Sequence, residues 1–297
     1  MKYKLSDFTK IGNLNVVIDG GFDDLGMIDD CSDNSLTIYY DKRFYNYLKN
    51  SGIVAIITKE SFVSDFKDIA VATSNNPVES FYKIHNYLSE YTNHYGVNEE
   101  SYVGSNTHID KSVKIPTKNV HIGDNCHIEE NVTIYENSYI ESNVRISSGT
   151  RIGCEGFEVK QINDQNILIP HSGSVRIGHN VEILSNCTIA RGLGRRDTEI
   201  GDFTKIDTMC HIAHGVKIGH KTLIASGSTI CGSVEIGDEV WVGPNSTISN
   251  GIRICNNARI TIGSTVINDV ESNGHVTGYF SINHKDYIKQ KYKVSKL

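Results

Sequence analysis

What the chain lacks narrows its class first. No run approaches about eighteen consecutive apolar residues, so no segment reads as a membrane-crossing helix. The opening stretch MKYKLSDFTKIGN has no apolar core of the kind a secretion signal needs. Positive charge is not in excess: 29 Lys and Arg against 35 Asp and Glu leave a formal net charge of -6, spread along the chain. That argues against a general nucleic-acid or anionic-membrane binder. The cysteines number seven, an odd count with no C-x-x-C pair, which speaks against a disulfide framework or a zinc knuckle. A cytoplasmic protein is expected, long enough at 297 residues to bury a substantial core in one to three domains.

What is present is a beat of six. Isoleucine returns at Ile122, Ile128, Ile134, Ile140, Ile146 and Ile152, then at Ile177, Ile183 and Ile189, then from Ile200 to Ile260 with only Val242 varying the residue. Four positions after each comes a small or β-branched residue, such as Val132, Thr150, Thr204, Val216 or Ser228. Cys126, Cys187 and Cys210 occupy the same place, so they read as small packing residues. A period of six is neither the 3.6 of a helix nor the 2 of a simple strand. Each hexad must be one short strand plus a corner, with three hexads closing one triangular coil. Such a solenoid is held by stacking between neighbouring coils. Gly and Asn in IGDN, IGHN and IGHK suit corners because they tolerate positive φ.

The ends differ. Residues 1–99 alternate short buried strands (SGIVAIITKE, KDIAVATSN) with a helical stretch (NPVESFYKIHNYLSEY), which predicts a small α/β domain. Residues 100–270 form the expected β-helix. Residues 271–297 drop the period and turn basic, with Lys285, Lys289, Lys291, Lys293 and Lys296; a helical tail is expected, either solvated or docking an acidic partner.

The beat breaks twice, and interruptions of a solenoid are where loops leave the body and sites are built. One insert is GCEGFEVKQINDQNILIPHSGSVR, with Phe157 and His171 as candidate substrate contacts; the other is ARGLGRRDTE. Arg191, Arg195 and Arg196 in the second are candidates to hold phosphate through forked donors. Counting three hexads, one full coil, on from His214 reaches Gly232, so the two should stack. An imidazole below a backbone N–H that no side chain covers fits acyl transfer: the ring takes a proton from the attacking group and the N–H meets the oxyanion. On a triangular coil His211, His214 and His220 point from different places, so one subunit is not expected to gather them on a metal, although zinc between subunits stays open.

The segments GFEV, ILIPHSGSVRIGHNVEI, NCTIARG and KIDTMCHIAHGVKIGHKTLIASGSTICGSVEIGD resemble the bacterial UDP-3-O-acylglucosamine N-acyltransferases of lipid A biosynthesis, and the likeness extends to SLTIYYDKRFYNYL near the start. The resemblance implies a mainly β fold, a left-handed parallel β-helix. It implies a homotrimer with sites between solenoids, no permanently bound cofactor, and an acyl carrier protein as donor to a nucleotide-linked amino sugar. It also implies His214 as base, Gly232 as oxyanion donor, Asp207 as an orienter of the base, and Phe44 with Tyr39 or Tyr40 as contacts to the nucleotide base. The sequence departs from the family at Gly251 or Ile252, where a second histidine is common, at Ala190, and at Ile38 and Asp41. These departures favour the alternative of an acetyl-CoA or other short acyl-CoA donor, acylating a nucleotide amino sugar for surface polysaccharide; a non-catalytic solenoid scaffold is a third reading, against which the two inserts count.

Overall fold

The structure, a computed structural model, describes all residues except 29–30, 51, 93, 96–97, 195, 279–283 and 286–297. Its body is a stack of coils carrying three parallel sheets of eight, nine and seven strands. The register is the one the period demands. Ile200 pairs with Ile218, Ile218 with Ile236 and Ile236 with Ile254, each three hexads further along the chain. The isoleucines point inward, and the line from Ile122 to Ile260 is buried throughout as one continuous core. Burying each such side chain contributes about 1.5–3 kcal/mol, and coil stacking makes the contributions contiguous.

Corners follow the same beat. Asn119, Asn125, Asn131, Asn137 and Asn143 all take left-handed φ between 55° and 62°, a conformation Asn tolerates and β-branched residues do not. Cys126, Cys187 and Cys210 are buried as packing residues, and all seven cysteines are free thiols. Across the two inserts the register resumes without loss. Ile140 pairs with Ile177 and Ile177 with Ile200, so the extra residues leave the coil and return to it. The stack runs from Tyr102–Val103 to His275–Val276, the last pairing with Arg259–Ile260. Residues 271–276, assigned to the tail from sequence, therefore belong to the solenoid: a last strand can stack on the coil without an isoleucine in the beat. The expected helical tail lies, from residue 279 on, outside the described residues except for 284–285.

The amino-terminal region is a five-stranded sheet in the order Asn15–Ile18, Ala70–Thr73, Ile53–Thr58, Ser35–Tyr39, Asp24–Leu25, parallel except for its first pair. Helix α1 (Pro77–Tyr91) starts where Asn76 accepts the Glu79 N–H, with Pro77 in its first turn. One hydrophobic cluster holds this region to the first insert. The insert folds into an antiparallel hairpin, Val159–Ile162 with Gln165–Leu168, whose Ile162 and whose exit residue Ile169 bury themselves among Leu36, Ile57, Phe81 and Leu88. Polar contacts fix the docking: Lys83 Nζ donates to Asn163 Oδ1 (2.9 Å), and His85 Nε2 lies 2.9 Å from the Pro170 carbonyl oxygen. The hairpin thereby carries parts of the insert over one corner of the coil.

Candidate active site

His214 occupies the corner after the strand His211–Ile212, held by its backbone. Its carbonyl accepts the Ser233 N–H (2.9 Å), and Gly215 follows with φ +64°. Gly232 sits one coil above, as the arithmetic requires. A Cβ on Gly232 would lie 2.7 Å from His214 Nε2 and 2.8 Å from Cε1, so any side chain there would displace the ring. The Gly232 carbonyl accepts the Gly251 N–H (3.0 Å), whereas its own N–H donates to no group among the described residues. A half-buried imidazole thus stands beside an open backbone donor.

Beside His214 lies a cavity of about 390 Å³ whose walls come from four parts of the chain. The sheet domain gives Met27, Tyr82 and His85, the first insert Glu158 and Lys160, the second Arg196, and the coil His214 and Ser233. Glu158 is the nearest carboxylate to the base, its Oε2 4.0 Å from His214 Nε2, and it pairs with Lys160 at 2.6 Å. Lys160 Nζ in turn lies 5.1 Å from the centre of the Tyr82 ring. His171 packs edge-on against His214, ring centres 5.0 Å apart. Burial is the main cause holding His214 below the ordinary imidazole range, with His171 and Arg196 adding to it and Glu158 opposing. The ring is accordingly neutral, and able to accept a proton, at neutral pH.

Other residues singled out from sequence are placed differently. Asp207 does not contact His214 within the chain. It sits at the preceding corner of the triangle, where its carboxylate accepts the N–H groups of Thr208 (2.7 Å) and Ser226 (3.2 Å); residues little more than one hexad apart occupy different corners. Tyr39 cannot contact a substrate, because it is fully buried, packed edge-on to Phe62 and Phe66. Its strand is covered on both faces, so alternate residues do not alternate in exposure. Tyr40 is part-exposed and its ring centre lies 5.7 Å from that of Phe44, but neither lines the His214 cavity. Asp41 is occupied by Arg43, which donates to it from Nε (2.9 Å) and Nη2 (2.7 Å).

Phe157 is exposed and does not line the cavity. Arg191 is committed elsewhere, with Nε donating to the Gly153 carbonyl (2.7 Å) beside a separate open groove at Tyr135 and Pro116. Of the three arginines, Arg196 reaches the cavity and Arg195 lies outside the described residues. His220 accepts the Asp202 N–H (3.1 Å) at its own corner, and no three His, Cys, Asp or Glu among the described residues are placed to share a metal. Sequence reasoning missed Glu158, Lys160, Tyr82 and His85. Glu158 and Lys160 lie inside an insert already marked as a site, but their approach depends on how the hairpin docks.

The stacked coils and their repeat define the class: the chain is a left-handed parallel β-helix of the hexapeptide-repeat type. The description "Bacterial transferase hexapeptide (six repeats)" matches residues 119–154 and 197–232. Among curated relatives, the UDP-3-O-acylglucosamine N-acyltransferase of Maricaulis maris (strain MCS10) is 46% identical over 85 residues, 29% of this chain and 24% of that protein. The protein of the same name from Shewanella denitrificans is 38% identical over 116 residues, 39% of this chain and 28% of that one. The match to these relatives thus spans about a quarter of their length. A solved UDP-N-acetylglucosamine acyltransferase from Campylobacter jejuni superposes with a TM-score of 0.54 at 23% identity, covering 65% of this chain and 79% of that one; it shares the fold. No helix among the described residues is long and apolar enough to cross a membrane.

Proposed function

We propose that this protein is an N-acyltransferase that moves an acyl group from a carrier thioester to the amine of a nucleotide-linked amino sugar, as the names of its curated relatives suggest. The observation that carries the reading is His214 stacked under the open Gly232 N–H. The amine must lose a proton to attack the thioester carbon, and neutral His214 takes it. As the carbonyl oxygen gains charge, the Gly232 N–H meets it, an interaction that strengthens in the transition state. The C–S bond then breaks, and the proton held by His214 goes to the departing thiolate.

Glu158, pairing with Lys160 and 4.0 Å from the ring, favours the imidazolium that forms in between. The exposed ring of Tyr40 and the half-buried ring of Phe44 are offered to a nucleotide base. The free thiols fit a reducing, cytoplasmic compartment. The donor is acyl carrier protein, an acidic partner for which the lysine-rich sequence after residue 284 offers opposite charge, and the working unit is a homotrimer. The test is thiol release with acyl carrier protein and CoA thioesters, each offered a panel of nucleotide amino sugars. Turnover with the carrier-protein donor supports the reading. Turnover with short acyl-CoA alone replaces the donor, and no release with any pair rejects the enzyme.

A further inference from the structure

His171 lies where the first insert rejoins the coil, and neither the proton transfer nor the oxyanion contact uses it. Its side chain is fully enclosed. Nδ1 is 3.0 Å from the Ile169 carbonyl oxygen, which can only accept, so Nδ1 carries the hydrogen and donates. In the neutral ring Nε2 is then a bare lone pair, and it is buried with no hydrogen-bond partner. Leaving a buried polar atom unsatisfied costs free energy, so such a group calls for a reason.

The reason lies in what the ring touches. It stands against His214 with the two planes at 62°, a T-shaped contact. Gly156, at the entry to the same insert, passes so close that a Cβ there would lie 2.5 Å from His171 Nε2 and 2.9 Å from His214 Cβ. The ends of the insert are tied together, since Glu155 Oε2 accepts the His171 N–H at 2.9 Å. Entry and exit of the loop therefore both bear on the catalytic corner.

We propose that His171 is a positioning residue: pinned by the Ile169 carbonyl and closed in by Gly156, its ring fixes the plane of His214 so that Nε2 is held beside Gly232. This rests on the reading of His214 as the base. Glu158, Arg196 and His211 also act on His214, while Glu155 and, from α1, His85 face His171. After burial, His171 is the next cause holding His214 below its ordinary range.

The test uses the full chain with His171→Phe, which keeps a ring but no donor, and His171→Asn, which keeps a donor near Nδ1 but no ring edge. The readouts are kcat and KM for both substrates, the pH profile of kcat/KM, and the NMR titration of the His214 ring; thermal melts check folding. The expected result is a kcat lower by about 10- to 100-fold, the scale of a misplaced reacting group, with both KM values unchanged. The His214 midpoint and the acidic limb of the profile should move to higher pH. A folded variant with wild-type kcat and an unmoved His214 midpoint overturns the proposal. If the wild type turns over no substrate, the acyltransferase reading fails, and the NMR midpoint alone still decides the role of His171. If both variants lose their fold, a wild-type titration midpoint in Gly156→Ala, which pushes on the same ring, overturns it.

Discussion

Replacing Gly232 with alanine should stop the reaction while leaving the coil folded. The backbone at Gly232 is not in the left-handed region, and the residue lies part-exposed at a corner, so an alanine meets no backbone strain there. The new Cβ meets His214 instead, at 2.7 Å from Nε2. Ordinary non-bonded contact is about 3.5 Å, so the ring must retreat by roughly 0.8 Å. It has room to do so, because its side chain is 16% exposed. A displacement of that size at a reacting group costs about 10²-fold in kcat, or about 2.7 kcal/mol of barrier at 1.36 kcal/mol per tenfold. Stability should fall by about 1–3 kcal/mol, the cost of a methyl forced against a packed ring, which leaves the coil folded. Thiol release at saturating donor and acceptor reads the first quantity and urea unfolding the second. Wild-type kcat in the folded variant would refute the stacking of base and oxyanion donor.

Two further outcomes follow from burial. Tyr39→Phe should leave the acceptor KM unchanged and raise stability by up to about 1 kcal/mol in a urea melt, because the Tyr39 hydroxyl is buried without a partner; a raised KM would return Tyr39 to the site. Acid should weaken the junction between α1 and the first insert. Burial pushes His85 down to about 4 while its neutral ring bonds Tyr95 and Pro170, so its contribution is whole above the unfolded value near 6.5 and is lost as pH falls toward 4. The loss approaches roughly 3 kcal/mol at 1.36 kcal/mol per unit. Melts of wild type and His85→Gln from pH 7 to 4.5 should therefore converge, and parallel curves would contradict the assignment.

Much of the fold is legible because a six-residue period admits few structures. One buried isoleucine per hexad requires inward-facing strands, and three hexads per coil place Gly232 over His214 before any coordinates are known. The inserts were legible as breaks in that period. Their landing places were not, because Ile162 and Ile169 find their partners far back along the chain, in the sheet domain, and no local pattern encodes that docking. Glu158 was missed for this reason. Asp207 is a different case: its role came from a resemblance, and the hexad count puts it at another corner of the same chain, away from His214. Tyr39 was misplaced because a strand inside a parallel sheet is covered on both faces, so its sequence gives no sign of which side chains point out.

The most direct measurement of the central claim is the rate of thiol release by His214→Ala beside wild type, with circular dichroism and melting checked on the same samples. If His214 is the base, the variant keeps its β-helix and loses about 10²- to 10⁴-fold in kcat, the usual worth of a positioned general base. A folded His214→Ala protein that releases thiol at the wild-type rate would contradict it.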